Sequence, residues 1–312
     1  MTTTIPPSAV TSCTPFMGRP WSLDLTGVKA AVLGIPFDCG GHPVRVGARL
    51  GPAAIREQSV LVRAYEPPDQ DFDALDRLNV VDCGDVRVPM GDVLGAHAAI
   101  EDVVWRIGSA GAVPVTMGGD GTVTLPQLRA MHRIFPDLVV LHIDAHTDTF
   151  PAHGEVHQRF NTATTFTHAA SEGLVDPRHS FHIGPRGATY RQAAWGLAQE
   201  LGYNVIPDHV CRSRGWTDVL SEVRTTLANR PVYLCFDMDY FDPSCAPGVC
   251  TPTWGGASAR EGLELLRSLS GLRIVACDLN TVSPPHDVGG MTAFLAGTCV
   301  REFFYLIDTA SA

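Results

Sequence analysis

Leu138-Val139-Val140-Leu141-His142-Ile143-Asp144-Ala145-His146-Thr147-Asp148 is the stretch that decides the fold. An apolar run of strand length ends abruptly in two acids and an imidazole, each two residues from the next. Val232-Tyr233-Leu234-Cys235-Phe236-Asp237-Met238-Asp239 repeats the pattern further down the chain. Continuous apolar runs of this length read as strands buried on both faces, the situation of a parallel sheet in an α/β protein. Such strands deliver their last residues to the carboxyl edge of the sheet, where open α/β folds bind ligands. Asp144, His146, Asp148, Asp237 and Asp239 are therefore expected to converge on one crevice. Four carboxylates so confined repel each other unless protons or cations intervene, so the cluster reads as a divalent metal site.

Outward from these two segments, strand-like runs recur at residues 30–35, 80–83, 113–117, 139–143, 181–183, 205–206, 232–236 and 274–277. Helical patterns lie between most of them, at 52–64, 93–107, 125–134, 190–201, 216–227 and 258–269. Strands alternating with helices imply a three-layer α/β/α domain whose central sheet is eight-stranded and mainly parallel. Residues 1–28 carry Pro6, Pro7, Pro15 and Pro20 with little apolar periodicity, and read as an arm that packs on the domain or on a neighbour. Residues 29–312 show no internal repeat or linker, which implies one catalytic domain.

Composition narrows the class further. With 312 residues, 45% of them hydrophobic, the chain can bury a large core. No apolar stretch is long enough to span a bilayer, and Met1-Thr2-Thr3-Thr4-Ile5-Pro6-Pro7 lacks the pattern of a signal peptide, so a cytoplasmic location is expected. A net charge of −10 without a basic patch argues against nucleic acid or anionic membrane as a partner and leaves a small-molecule substrate. The nine cysteines form no Cys-x-x-Cys pair and read as reduced thiols of the interior.

Five blocks in order resemble the ureohydrolase family, which includes arginase, agmatinase and proclavaminate amidinohydrolase. They are Gly34-Ile35-Pro36-Phe37-Asp38 with Arg45, Arg49 and Arg56; Gly118-Gly119-Asp120; Asp144-Ala145-His146-Thr147-Asp148; Phe236-Asp237-Met238-Asp239 with Asp242-Pro243; and Ser283-Pro284 with Gly289-Gly290-Met291-Thr292. The resemblance implies an arginase-like fold and a homo-oligomer, trimeric or hexameric. It also implies two manganese ions that activate a shared water against a guanidinium carbon, releasing urea. Asp144 and Asp237 would bridge the ions, His146 and Asp239 would complete one position, and Asp148 would belong to the other.

Three departures share a direction. The family's second-ion histidine, which follows Gly-Gly-Asp, is Gly121 here. Its proton-relay histidine aligns with Thr162, and the acid that pairs with the substrate guanidinium aligns with Thr281. One tightly held ion is therefore expected, with two still possible and Zn2+ or Fe2+ as alternatives to Mn2+. Asp148 holds a weak second ion or accepts hydrogen bonds from behind the ligands, where Asp120 and Gly121 also belong.

Asp144, His157 and Thr281 are the positions expected to act on the reacting group, with His157 a replacement ligand or proton shuttle. Thr162, Cys250, Thr281 and His286 are expected to line the substrate pocket, although Cys250 reads equally as packing. Arg45, Arg49, Arg56 and Arg186 read as structural arginines tying loops to carboxylates, and Trp254 as a pocket-rim or packing residue. The function implied is metal-dependent hydrolysis of an amidino or amide C–N bond, distinct from standard arginase or agmatinase activity. The alternatives are a metal enzyme redirected to a neutral substrate by amide hydrolysis, cyclisation or elimination, and a non-catalytic binding or assembly protein.

Overall fold

The computed structural model describes residues 3–39, 41, 42 and 44–310. All eight apolar runs become strands, and a ninth strand comes from the N-terminal segment. In chain order they are β1 (Val10–Thr11), β2 (Ala30–Gly34), β3 (Val81–Val86), β4 (Val113–Met117), β5 (Val139–Ile143), β6 (Phe181–Ile183), β7 (Asn204–Ile206), β8 (Val232–Asp237) and β9 (Ile274–Asn280). They form one sheet in the order β1-β3-β2-β4-β9-β8-β5-β6-β7. Only β1 runs antiparallel, Val10 opposite Val86; the other neighbours pair parallel.

Two-residue periodicity along the strands creates the layers. Val139, Leu141, Leu234 and Phe236 enter one apolar cluster with Ile55, Leu265, Leu266, Phe303 and Phe304. Their neighbours Val140, Tyr233 and Cys235 enter the other, with Ile100, Val104, Leu128 and Phe166. Helices Gly51–Ser59, Trp216–Leu227, Ala259–Ser268 and Met291–Ala310 thus cover one face, and Val93–Ser109, Thr124–His132 and Thr165–Ser171 the other. Local chemistry sets several helix starts: Asp92 accepts from Gly95 N, and Ser258 and Glu261 form a reciprocal capping box.

Three helices of seven residues or more escape the periodic reading, beside the four-residue helices Ala74–Arg77 and Val156–Arg159. Met291–Ala310, the longest, is buried almost continuously from Leu295 to Ile307, so no polar stripe marks it in sequence. Thr165–Ser171 and Asp208–Arg214 are too short to display an apolar face. The expected helix at 190–201 begins only at Ala194, after Ala193 turns the chain at φ 52°. No helix among the described residues is long and apolar enough to cross a membrane.

The N-terminal segment packs on its own domain. Ile5, Val10, Phe16, Leu25 and Val28 are buried in the two cores. Its backbone also completes a buried ionic knot: Phe16 N donates to Asp82 Oδ2 at 2.8 Å, while Arg56 grips both Asp82 oxygens at 2.9 Å and reaches Asp85. Removing one partner from such a pair strands a charge without water. Arg56→Met should therefore cost about 3–5 kcal/mol in urea denaturation, because Asp82 is fully buried; a loss below about 1 kcal/mol would rule out that role.

Candidate metal centre

Strand register assembles the site. Pairing of Ile143 with Phe236 makes the next residues, Asp144 and Asp237, neighbours across β5 and β8. Asp237 lies opposite Asn280 of β9, and Gly118 N, just past β4, donates to Leu279 O at 2.7 Å. The strand ends, with the turns that follow them, bring together the five expected ligands. Asp144, Asp148, Asp237 and Asp239 are all buried, while the side chain of His146 is 31% exposed and opens the cluster to solvent.

Asp144, His146 and Asp239 present ligand atoms within 4.8 Å of one another, and so do His142, Asp144, Asp148 and Asp237. Nδ1 of His146 lies 3.2 Å from Asp144 Oδ1 and 3.6 Å from Asp239 Oδ2. Asp144 Oδ2, Asp237 Oδ1 and Asp239 Oδ1 are buried without any hydrogen-bond partner. A hard divalent cation fits this donor set, since it would satisfy stranded oxygens that the protein otherwise leaves unpaired.

The electrostatics carry the same message. Burial, then the charges of Asp144, Asp239 and Asp148, pushes Asp237 well above the usual carboxylate range. Asp148 and Asp239 are pushed up likewise, by burial and then by Asp144. Asp144 goes the other way: burial opposes it, but contacts with His142 and His146 hold it well below its usual value. Burial would lower His146, yet Asp239, Asp144 and Asp148 together raise it to about 10. Without a cation, the cluster keeps its charges tolerable only by holding protons.

Nδ1 of His146 faces the carboxylates because its other nitrogen is engaged: Nε2 sits 3.3 Å from Thr253 Oγ1. Sequence reading missed Thr253, which stands far from any ligand in the chain. Arg186 fixes the same loop, its Nη2 donating to Asp239 O at 2.6 Å, Thr253 O at 2.9 Å and Phe241 O at 3.3 Å. It ties carbonyls rather than the carboxylates expected, as does Arg45 to Val249 O and Pro247 O. Arg49 does pair with an acid, Asp38, at 3.1 Å. Trp254 is 75% exposed.

Asp120 lies beside the ligands. It accepts from Thr122 N at 3.1 Å and from Cys39 N at 2.8 Å, and burial pushes it up to about 6. A side chain at neighbouring Gly119 is impossible, because its Cβ would overlap Phe37 O. Gly121 is different. A Cβ there would sit 3.3 Å from Asp148 Oδ2 and 3.7 Å from Asp237 Oδ2, so the position looks straight between two ligands. It would also come within 2.8 Å of the Thr162 methyl, which occupies the space that the missing side chain leaves.

The other expected pocket residues are placed unevenly. Thr281 is buried at φ 74°, rare for a β-branched residue, with its hydroxyl donating to Asn280 O at 2.7 Å and accepting from Met238 N at 3.2 Å. Cys250 is buried, and burial with the charges of Asp120, Asp239 and Asp237 raises its thiol far from ionisation, as packing would leave it. His286 Nδ1 lies 2.8 Å from Ser283 Oγ. His157 stands exposed on the short helix Val156–Arg159 and is not among the groups that converge with the carboxylates.

Comparison with known proteins follows the geometry. Residues 28–305 match the arginase family. An agmatinase of Edwardsiella ictaluri is 39% identical over 277 residues, covering 88% of this chain and 86% of its own. A guanidinobutyrase of Pseudomonas aeruginosa is 35% identical over 294 residues, covering 94% and 90%. Among solved structures, proclavaminate amidino hydrolase from Streptomyces clavuligerus superposes with a TM-score of 0.90 at 33% identity, covering 98% of this chain and all of that one.

Hydrogen-bonded groups behind a ligand typically govern metal affinity by about 10–100-fold. Thr253→Val should weaken binding of the first divalent ion by about that much in calorimetric titration, because the imidazole loses its anchor. An unchanged affinity would exclude the anchoring role. Binding should also release protons from the raised carboxylates and His146, so affinity should climb as pH rises from 6 to 8, measured in buffers of differing ionisation enthalpy.

Proposed function

This chain belongs to the arginase family, and we propose that it is a metal-dependent hydrolase cleaving an amidino or amide C–N bond in a small molecule, with weak activity on simple guanidines. The observation that carries the reading is a buried ligand cluster retained beside three positions, Gly121, Thr162 and Thr281, that no longer offer imidazole or carboxylate. Manganese suits the oxygen-rich set, and a divalent ion bound there would supply Lewis acidity and a lowered water pKa.

The protein's own residues define the rest. Asp144, His146 and Asp239 would hold the tighter position, since theirs is the group completed by the partly exposed imidazole. Asp237 and Asp148 would contribute to the other. Thr281 supports a substrate that is neutral where the family's acid would meet a cation, because its hydroxyl is spent on Asn280 O and Met238 N. Thr162 brings a methyl, with no nitrogen, to the place beside Gly121. A purely binding protein would have no need of a cluster whose carboxylates repel so strongly.

We further read the protein as cytoplasmic and homo-oligomeric, trimeric or hexameric. Support for assembly is the family resemblance alone, since the N-terminal segment buries its apolar residues on its own core. Light scattering at a monomer mass of 33.5 kDa under micromolar conditions would argue against assembly.

The manganese-loaded protein should release urea poorly from arginine, agmatine and 4-guanidinobutyrate in a colorimetric assay. Loss of a charge-assisted partner worth about 1.5–3 kcal/mol costs about one to two orders of magnitude in capture. Loss of general acid–base help costs about 10²–10⁴-fold more. Gly121→His alone should be strained against the Thr162 methyl and restore nothing, whereas Gly121→His with Thr162→His and Thr281→Glu should recover measurable urea release. Robust urea production by the unaltered protein would overturn the reading.

A further inference from the structure

His142 is absent from the family's ligand pattern as read from the sequence, yet it stands among the ligands. It lies on β5 two residues before Asp144, so the two side chains leave the same face of the strand. Its ring is fully buried, and its Nε2 is 3.0 Å from Asp144 Oδ2. Despite that distance, neither atom has an aligned hydrogen-bond partner. Asp237 Oδ1, in the same group, is equally orphaned. One ring nitrogen of His142 and single oxygens of Asp144, Asp148 and Asp237 all lie within 4.8 Å of one another, and all four residues are buried.

Three further features make this a built position. First, the two oxygens of Asp144 face different groups: Oδ1 lies 3.2 Å from His146 Nδ1, and Oδ2 lies 3.0 Å from His142 Nε2. Each oxygen of Asp144 thus faces the imidazole of a different candidate ligand group. Second, ligands about 2.1 Å from an octahedral ion and at right angles to each other stand about 3.0 Å apart, which matches the His142–Asp144 separation. Third, the far nitrogen of His142 has a partner, which leaves Nε2 as the nitrogen that faces the carboxylates. Nδ1 lies 2.8 Å from Nδ1 of His182, whose ring is boxed by Phe166 and Tyr203. Only one proton fits between two facing nitrogens; when His142 donates it, Nε2 presents a bare lone pair to the carboxylates, as a ligating histidine must.

From this juxtaposition we infer that His142, Asp144, Asp148 and Asp237 form a second divalent-cation site in which His142, entering from the strand, supplies the imidazole that Gly121 does not supply from the turn. The inference deepens the proposed function and rests on the ion at Asp144, His146 and Asp239. The ligand is a hard or borderline divalent ion of the manganese class, given three carboxylates and one imidazole.

Metal-free protein titrated with Mn2+ alone, followed by calorimetry and by electron paramagnetic resonance, should take up two ions per chain, the second showing magnetic coupling to the first. His142→Phe keeps a planar aromatic ring, somewhat larger, without the nitrogen. It should bind one ion, uncoupled, with the first affinity retained. Crystals of the unaltered protein soaked in Mn2+ test the same point without a variant: the second anomalous peak should lie within bonding distance of His142 Nε2. A single ion in the unaltered protein, two coupled ions in His142→Phe, or a second peak bonded away from His142 would each overturn the inference. Absence of any ion at His146 would sink the proposed function itself. Failure of the substrate panel with both ions present would leave this site standing.

Discussion

Mutual repulsion among four buried carboxylates is the constraint around which the molecule is arranged. Asp144, Asp148, Asp237 and Asp239 are held where water cannot screen them, and their shifts run in opposing directions because they compete for the same positive charge. A loosely held set would relieve the repulsion by moving apart. Here β5 and β8 are paired in parallel up to the first two acids, Arg186 clamps the carbonyl of Asp239, and Thr253 holds the far side of His146. Rigidity of the backbone is what keeps the charges together, and the core on both faces of the sheet is what keeps the backbone rigid.

The same crevice holds the three positions that the sequence reading sets apart from the family pattern. Gly121 lies beside Asp148 and Asp237, Thr162 beside Gly121, and Thr281 accepts from Met238 N; none of the three offers a group that titrates near neutral pH. Thr281 holds an unusual backbone shape: its φ is left-handed although a β-branched side chain meets a steric cost there. The loop geometry is thus maintained by its hydrogen bonds to Gly119 and Cys250, independently of which side chain the position displays.

Much of this was legible in the sequence, and the reason is local. Strands β5 and β8 are buried along their whole length, so their apolar runs are unbroken and the acids that follow them conspicuous. The acids Asp144, Asp148, Asp237 and Asp239 follow directly from where those runs stop. What stayed hidden depends on contacts between distant segments. Thr253 lies 107 positions from His146, and nothing in its neighbourhood marks it as the anchor of an imidazole. His142 reads as one more residue of a buried strand until its unpaired nitrogen is found facing Asp144. Helix Met291–Ala310 was missed for the opposite reason, being too thoroughly buried to show a face. The proline-rich segment reads as a loose arm, yet its Phe16 N–H helps hold Asp82.

The contact between position 121 and the Thr162 methyl couples two distant turns of the chain. A β-carbon at 121 and that methyl cannot share the space without one of them yielding. Two points of the chain 41 positions apart thus act as one latch: a side chain enters at 121 only if the residue at 162 turns aside or gives up its methyl, and whatever fills that gap stands against Asp148 and Asp237.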